Sequence, residues 1–94
     1  MSQSTARVPT AFASRYLQQL CKHWAHKFQV TFDPANGHID FGEATCALAA
    51  DDQALTVRIT APADELDRWE RVVAVHVNRF AHKEGELPFD WTRS

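Results

Sequence analysis

Hydrophobic and polar positions change period along the chain, and each change marks an element. From Ala11 to Lys27 there is no glycine or proline, and Ala13, Leu17, Leu20, Trp24 and Phe28 recur at steps of three or four. At 100° per residue they fall within about 80° of one another, the stripe of an amphipathic helix. Before it, Thr5-Ala6-Arg7-Val8 is β-tolerant and ends at Pro9, which suits a strand end. Thr10 stands where a hydroxyl caps a first helical turn. After Phe28 the period drops to two. Val30 and Phe32, Ile39 and Phe41, then Ala44, Cys46 and Leu48, then Leu55, Val57 and Ile59 alternate with their neighbours, the pattern of four strands with one apolar face. Asp33-Pro34-Ala35-Asn36-Gly37 and Asp51-Asp52-Gln53 read as tight turns, the first through an Asn-Gly pair that tolerates positive φ. Turns this short make neighbouring strands antiparallel. Pro62 ends the sheet and opens a second helix. Asp64, Glu65, Asp67 and Glu70 load its start, where anions favour the positive end of the dipole. Leu66, Trp69, Val73, His76, Val77 and Phe80 form its stripe, and Gly85 its stop. In the tail, Leu87, Phe89 and Trp91 alternate, with Pro88 restricting them to an edge or a covering strand.

Two helices with one apolar stripe each, and a sheet with one apolar face, must bury those surfaces against each other. The economical arrangement is an α+β two-layer sandwich: an antiparallel sheet of four to five strands with both helices on one face. The order β-α-β-β-β-β-α resembles the TATA-binding-protein-like fold, and residues 1–94 are expected to form a single domain.

Composition narrows the function classes. Hydrophobic residues make up 45% and charged residues 23%, which excludes a disordered chain. No apolar run approaches the ~18 residues of a membrane helix. Ten basic against twelve acidic residues leave a net charge of −2. A protein that holds nucleic acid by bulk charge is clearly basic, so neither nucleic acid nor membrane is an expected partner. The alternation places Asp33, Asp40 and Glu43 on the open sheet face against one arginine, Arg58, with none of the apolar wedges of minor-groove binders. The opening Met1–Arg7 lacks the apolar stretch of a secretory signal, and Cys21 and Cys46 are too few for a disulfide framework. A cytoplasmic protein with two reduced thiols is expected.

No catalytic signature is present: no Gly-x-Ser-x-Gly elbow, no phosphate-binding glycine loop, no His-Glu-x-x-His. No catalytic residue is assigned, no cofactor is called for, and enzymatic activity is not expected. The sharpest cluster is Cys21-Lys22-His23-Trp24-Ala25-His26-Lys27. His23 and His26, three apart, reach one side of a helix, and imidazole and thiolate both bind transition metals. Cys21 lies about 160° around the helix from His23 and about 140° from His26, and the flanking lysines repel a cation. His23 and His26 are thus weak metal candidates, and this helix end also suits an anion or a partner. Phe12, Tyr16, Gln19 and His23 form a second ridge, roughly 80–140° from the main stripe. A helix apolar over that much circumference has a second packing surface, which Phe89 and Trp91 of the tail, or a partner, would cover. The expected partner or ligand surface is therefore Phe12, Tyr16, Gln19, His23, His26 and Lys27. His76, in the middle of the second stripe, reads as a buried neutral imidazole with one satisfied N–H.

Ser14-Arg15-Tyr16-Leu17, Leu20-Cys21-Lys22-His23-Trp24 and His26-Lys27 resemble the first helix of the bacterial domain-of-unknown-function family 2218. His76, Arg79-Phe80-Ala81 and Trp91 resemble its second helix and tail, and Ser4–Val8 its opening. That family has no established activity. Its members are similar to domains encoded beside, or joined to, siderophore-interacting flavin reductases. The resemblance implies an accessory role in iron–siderophore metabolism, with such a reductase as partner. Two readings follow. In one, the chain is a non-catalytic interaction module that docks a reductase of that type, or a second copy in a homodimer. In the alternative it is a small metal-binding or catalytic protein using His23, His26 and His76.

Overall fold

In the computed structural model, which describes residues 1–94, the chain runs β1 (Ser2–Pro9), α1 (Ala13–Trp24), β2 (Gln29–Phe32), β3 (Asn36–Asp40), β4 (Thr45–Ala50), β5 (Ala54–Ala61), α2 (Leu66–Phe80) and β6 (Thr92–Arg93). Single 3-10 turns at Ala63–Glu65 and His82–Glu84 flank α2. The sheet order is β2-β3-β4-β5-β1-β6, with every neighbouring pair antiparallel. The expected α+β architecture is present with one strand more than four to five, because the tail pairs with β1 through Ser4–Arg93 and Thr5–Thr92. β1 also extends beyond Thr5–Val8. Its serines and glutamine have weak β preference, but eight residues are held in register against β5, from Ser2–Ala61 to Pro9–Ala54.

The period-2 reading holds for β3, β4 and β5 but not for the edge strand β2, where Val30 is only half-buried and Phe32 is 38% exposed. Leu55, Val57 and Ile59 are fully buried on one side of β5, with Thr56, Arg58 and Thr60 on the other. Val8, Ile39, Cys46 and Leu48 extend the inner face, and both helices pack on it. α1 contributes Leu17, Leu20 and Trp24, and α2 contributes Leu66, Trp69, Val73 and Val77. Burial of a side chain of this size contributes roughly 1.5–3 kcal/mol.

Local chemistry departs from the expectation at three places. Asn36 and Gly37 are not the turn: both open β3, and neither has a positive φ. Asp33 closes that turn instead, its Oδ1 accepting the N–H groups of Ala35 and Asn36 at 2.8 Å. Gly37 lies under α1, where a Cβ would stand 2.8 Å from Cys21 Sγ and 3.3 Å from Leu17 Cδ2. The glycine permits the close approach of helix to sheet. Secondly, Thr10 does not cap α1, which starts at Ala13 and ends at Trp24. The Thr10 hydroxyl accepts the Phe12 N–H at 3.1 Å and donates to Glu84, tying this loop to the turn after α2. Thirdly, α2 begins four residues beyond Pro62, after a 3-10 turn, and Gly85 stops the chain at φ +82 only after a second one.

The short β6 is fastened from above. Glu70 of α2, 7% exposed, accepts from the Ser4 hydroxyl of β1 and from Arg93 of β6, whose Nε and Nη2 donate to its two oxygens at 3.0 and 2.9 Å. The Arg93 hydrogen bonds outweigh burial and hold the Glu70 carboxyl below the usual range.

Candidate functional site

α1 carries its second ridge, but the chain itself covers the middle of it. Tyr16 is only 3% exposed. Its hydroxyl donates to the carboxylate of Glu84, in the 3-10 turn after α2. Burial first, and Glu84 second, push its phenol up to about 12. Phe89 and Trp91 do not reach this ridge. They stack on each other at 5.6 Å and line a groove along α2 with Asp67, Arg71 and Ala74. Asn78 holds the tail there by accepting the Leu87 N–H at 2.7 Å. The reason is topological: the tail must reach the free edge of β1, on the far side of α2 from α1. What stays open along α1 and just beyond it is Phe12, 45% exposed beneath the Arg15 guanidinium, together with Gln19, His23, His26 and Lys27.

The end of α1 meets the second half of α2 at His23. Its ring centroid lies 5.3 Å from that of His76, 6.1 Å from Phe80 and 6.4 Å from His26. Trp24 anchors the meeting, with ring contacts of 4.8 Å to His76 and 5.1 Å to Phe41. His76 is half-buried, and its Nδ1–H donates to the Val72 carbonyl at 2.7 Å. This is the satisfied imidazole expected from the sequence, with Nε2 left as its free nitrogen. The His23 imidazole is held below its ordinary value by burial first, then by His76, His26, Arg79 and Lys27. Every charge that acts on it is positive.

Cys21 takes no part in this cluster. It is buried beneath α1, and burial pushes its thiol up to about 11; that of Cys46 is raised further. Both are packing residues, protonated at neutral pH. No group of three histidine, cysteine, aspartate or glutamate side chains is arranged to hold a metal ion. The positive neighbours that add to burial in keeping a proton off His23 also oppose a divalent cation.

Sequence reasoning assigned the α1 residues but missed Arg79, and it did not join His76 to His23. The available signal was that His76 and Arg79 stand three apart on α2, as His23 and His26 do near the end of α1. The open sheet face also needs correction. Asp33 sits in a turn, and Glu43 pairs with Arg68 of α2 at 3.2 Å. Of the three expected carboxylates only Asp40 belongs to a strand, and its Oδ1 accepts the Gly42 N–H. β1 adds Arg7 to the face, so two arginines stand there, neither with a carboxylate within 4.0 Å.

No helix is long and apolar enough to cross a membrane. The structure is similar to the NMR structure of PA4090 from Pseudomonas aeruginosa, with a TM-score of 0.83 and 40% identity over 98% of this chain and 96% of that one. No curated protein matches the chain. The family described as uncharacterised proteins conserved in bacteria, domain of unknown function 2218, matches residues 5–92. That match runs from β1 into β6 and takes in both helices, with the histidine cluster between them, and the chain belongs to this family.

Proposed function

We propose that the chain is a non-catalytic interaction module that docks a protein partner through the open parts of the α1 ridge. Phe12, Gln19, His23, His26 and Lys27 make the contact surface, and Tyr16 is its buried support. One observation carries this reading: Phe12 and His23 stay exposed on either side of a tyrosine that the chain itself covers. Neither His23 nor His76 has a hydroxyl, thiol or carboxylate hydrogen-bonded to it, so no activated nucleophile is assembled. The partner proposed is a siderophore-interacting reductase, in cytoplasmic iron–siderophore metabolism. The likeness of α1 to a family linked with such reductases supports that choice, and two free buried thiols support the compartment.

Size-exclusion chromatography with light scattering, on the protein alone and mixed with such a reductase, is the test. A complex is expected, and Phe12→Asp with His26→Glu is expected to abolish it. A monomer that forms no complex would overturn the reading; a stable homodimer disrupted by the same variant would assign the surface to a second copy. The metal-binding alternative rests on the 5.3 Å separation of His23 and His76. Elemental analysis of untagged protein decides it: stoichiometric zinc, iron or copper would favour it over docking.

A further inference from the structure

We propose that the meeting of α1 with α2 binds the carboxylates of an acidic protein segment, held by His23, His26 and His76 with Lys27 and Arg79 at the border. The inference rests on the docking surface above and names what the partner presents to it. Imidazole rings 5.3 and 6.4 Å apart leave room for one carboxylate to accept from two of them, at the about 2.7–2.9 Å usual for charge-assisted bonds, with His76 donating through Nε2 in its imidazolium form because its Nδ1–H is spent on Val72. Neither Lys27 nor Arg79 has a carboxylate within 4.0 Å, and Glu86, which shares a concavity with Arg79 along α2, lies outside the histidine cluster. Glu84 is taken by Thr10 and Tyr16, Glu70 by Ser4 and Arg93, and Glu43 and Glu65 by Arg68. The last carbonyl of α1 does not repel an anion freely, since Trp24 O already accepts from the N–H groups of Lys27 and Phe28. None of the larger concavities is lined by His23, His26 or His76. An open surface of this kind suits a segment laid across it rather than an enclosed small anion.

The same geometry makes the contact depend on pH. His26 and Lys27 face His23 from the end of α1, and His76 and Arg79 face it from α2. Burial first, and these neighbours with it, hold off its proton. A carboxylate placed among them favours the imidazolium, so the complex takes up a proton that the free protein releases. Affinity therefore rises as pH falls through the bound-state value of His23 and levels off below its free value.

The probe is a hexaglutamate peptide, followed by NMR of the histidine side chains at constant ionic strength. We expect shifts at His23 and His76, binding at least threefold tighter at pH 6 than at pH 7.5, and no response to hexalysine. The His76→Gln/Arg79→Gln protein should bind at least fivefold more weakly while keeping its amide spectrum. Absent binding, pH-independent binding, or equal binding by that variant would overturn the proposal. Inorganic phosphate binding as tightly as the peptide would overturn the choice of an acidic segment. The two readings fail separately. A reductase complex that hexaglutamate cannot displace leaves docking standing and removes the charge argument. Peptide binding at the histidines without any reductase complex does the reverse.

Discussion

The two ends of α2 handle charge in opposite ways. Near its start, Glu70 meets a guanidinium and a hydroxyl that use both of its oxygens. Near its end, His76 and Arg79 meet His23, and none of the three has a carboxylate within 4.0 Å. The first cluster draws three distant parts of the chain, β1, α2 and β6, to one point. The second sets like charges together, which weakens a fold slightly. A matched cluster is explained by the structure it holds. An unmatched one is where the proposed acidic segment would supply the missing charge.

The largest test of this contrast is Glu70→Ala. It strands the buried Ser4 hydroxyl and leaves Arg93 without a counter-charge. Breaking a fully buried pair costs about 3–5 kcal/mol; here the guanidinium is half open to water, and a loss of about 2 kcal/mol is expected in urea unfolding. Amide exchange at Thr92 and Arg93 should quicken with it. An unchanged midpoint would mean that the matched cluster holds nothing.

The pH dependence of stability separates the two ends next. The Glu70 carboxyl lies below its unfolded value of about 4.3, so its contribution is complete above that pH and is lost as pH falls through the lower folded value. His23 also lies below its unfolded value, about 6.5, and the unfolded chain therefore protonates first. Stability should sag as pH falls from about 6.5 through the folded value of His23, and fall again as pH drops through the lower folded value of Glu70. Urea midpoints from pH 8 to pH 3 should lose the upper sag in His23→Gln and the lower limb in Glu70→Gln. Loss of both in either variant would show that the two ends are not independent.

The smallest effect expected is that of Arg79→Glu. It supplies the missing negative charge, so the His23 titration should move upward by NMR and the protein should become marginally more stable. An unchanged titration would place Arg79 outside the cluster.

Much of this was legible beforehand where one element sufficed. The strand pairings from β2 to β5 follow from alternation, and the basic end of α1 from its residues. What was not legible depended on pairs of elements. Gly37 next to Asn36 carries the signature of a turn, and only the helix above it reveals a glycine kept for clearance. Asp33 and Glu43 were counted on the open face because period two was carried into turns, where it no longer applies. Tyr16 was placed on an open ridge because Glu84 lies 68 residues away in sequence. His76 and His23 join for the same reason: a helix stripe shows which way a residue faces, not which residue of another helix it meets.

Gln3 and Ser94 exchange backbone hydrogen bonds, at 3.3 Å and 2.9 Å, across the β1–β6 edge. The two termini consequently emerge side by side, and a few residues would bridge them. The Asp51–Gln53 turn, exposed and held by one aspartate oxygen, offers a place to open the chain again. A circular permutant made this way keeps every strand neighbour, and the same proximity lets the domain be spliced into a surface loop of a larger protein without stretching its host.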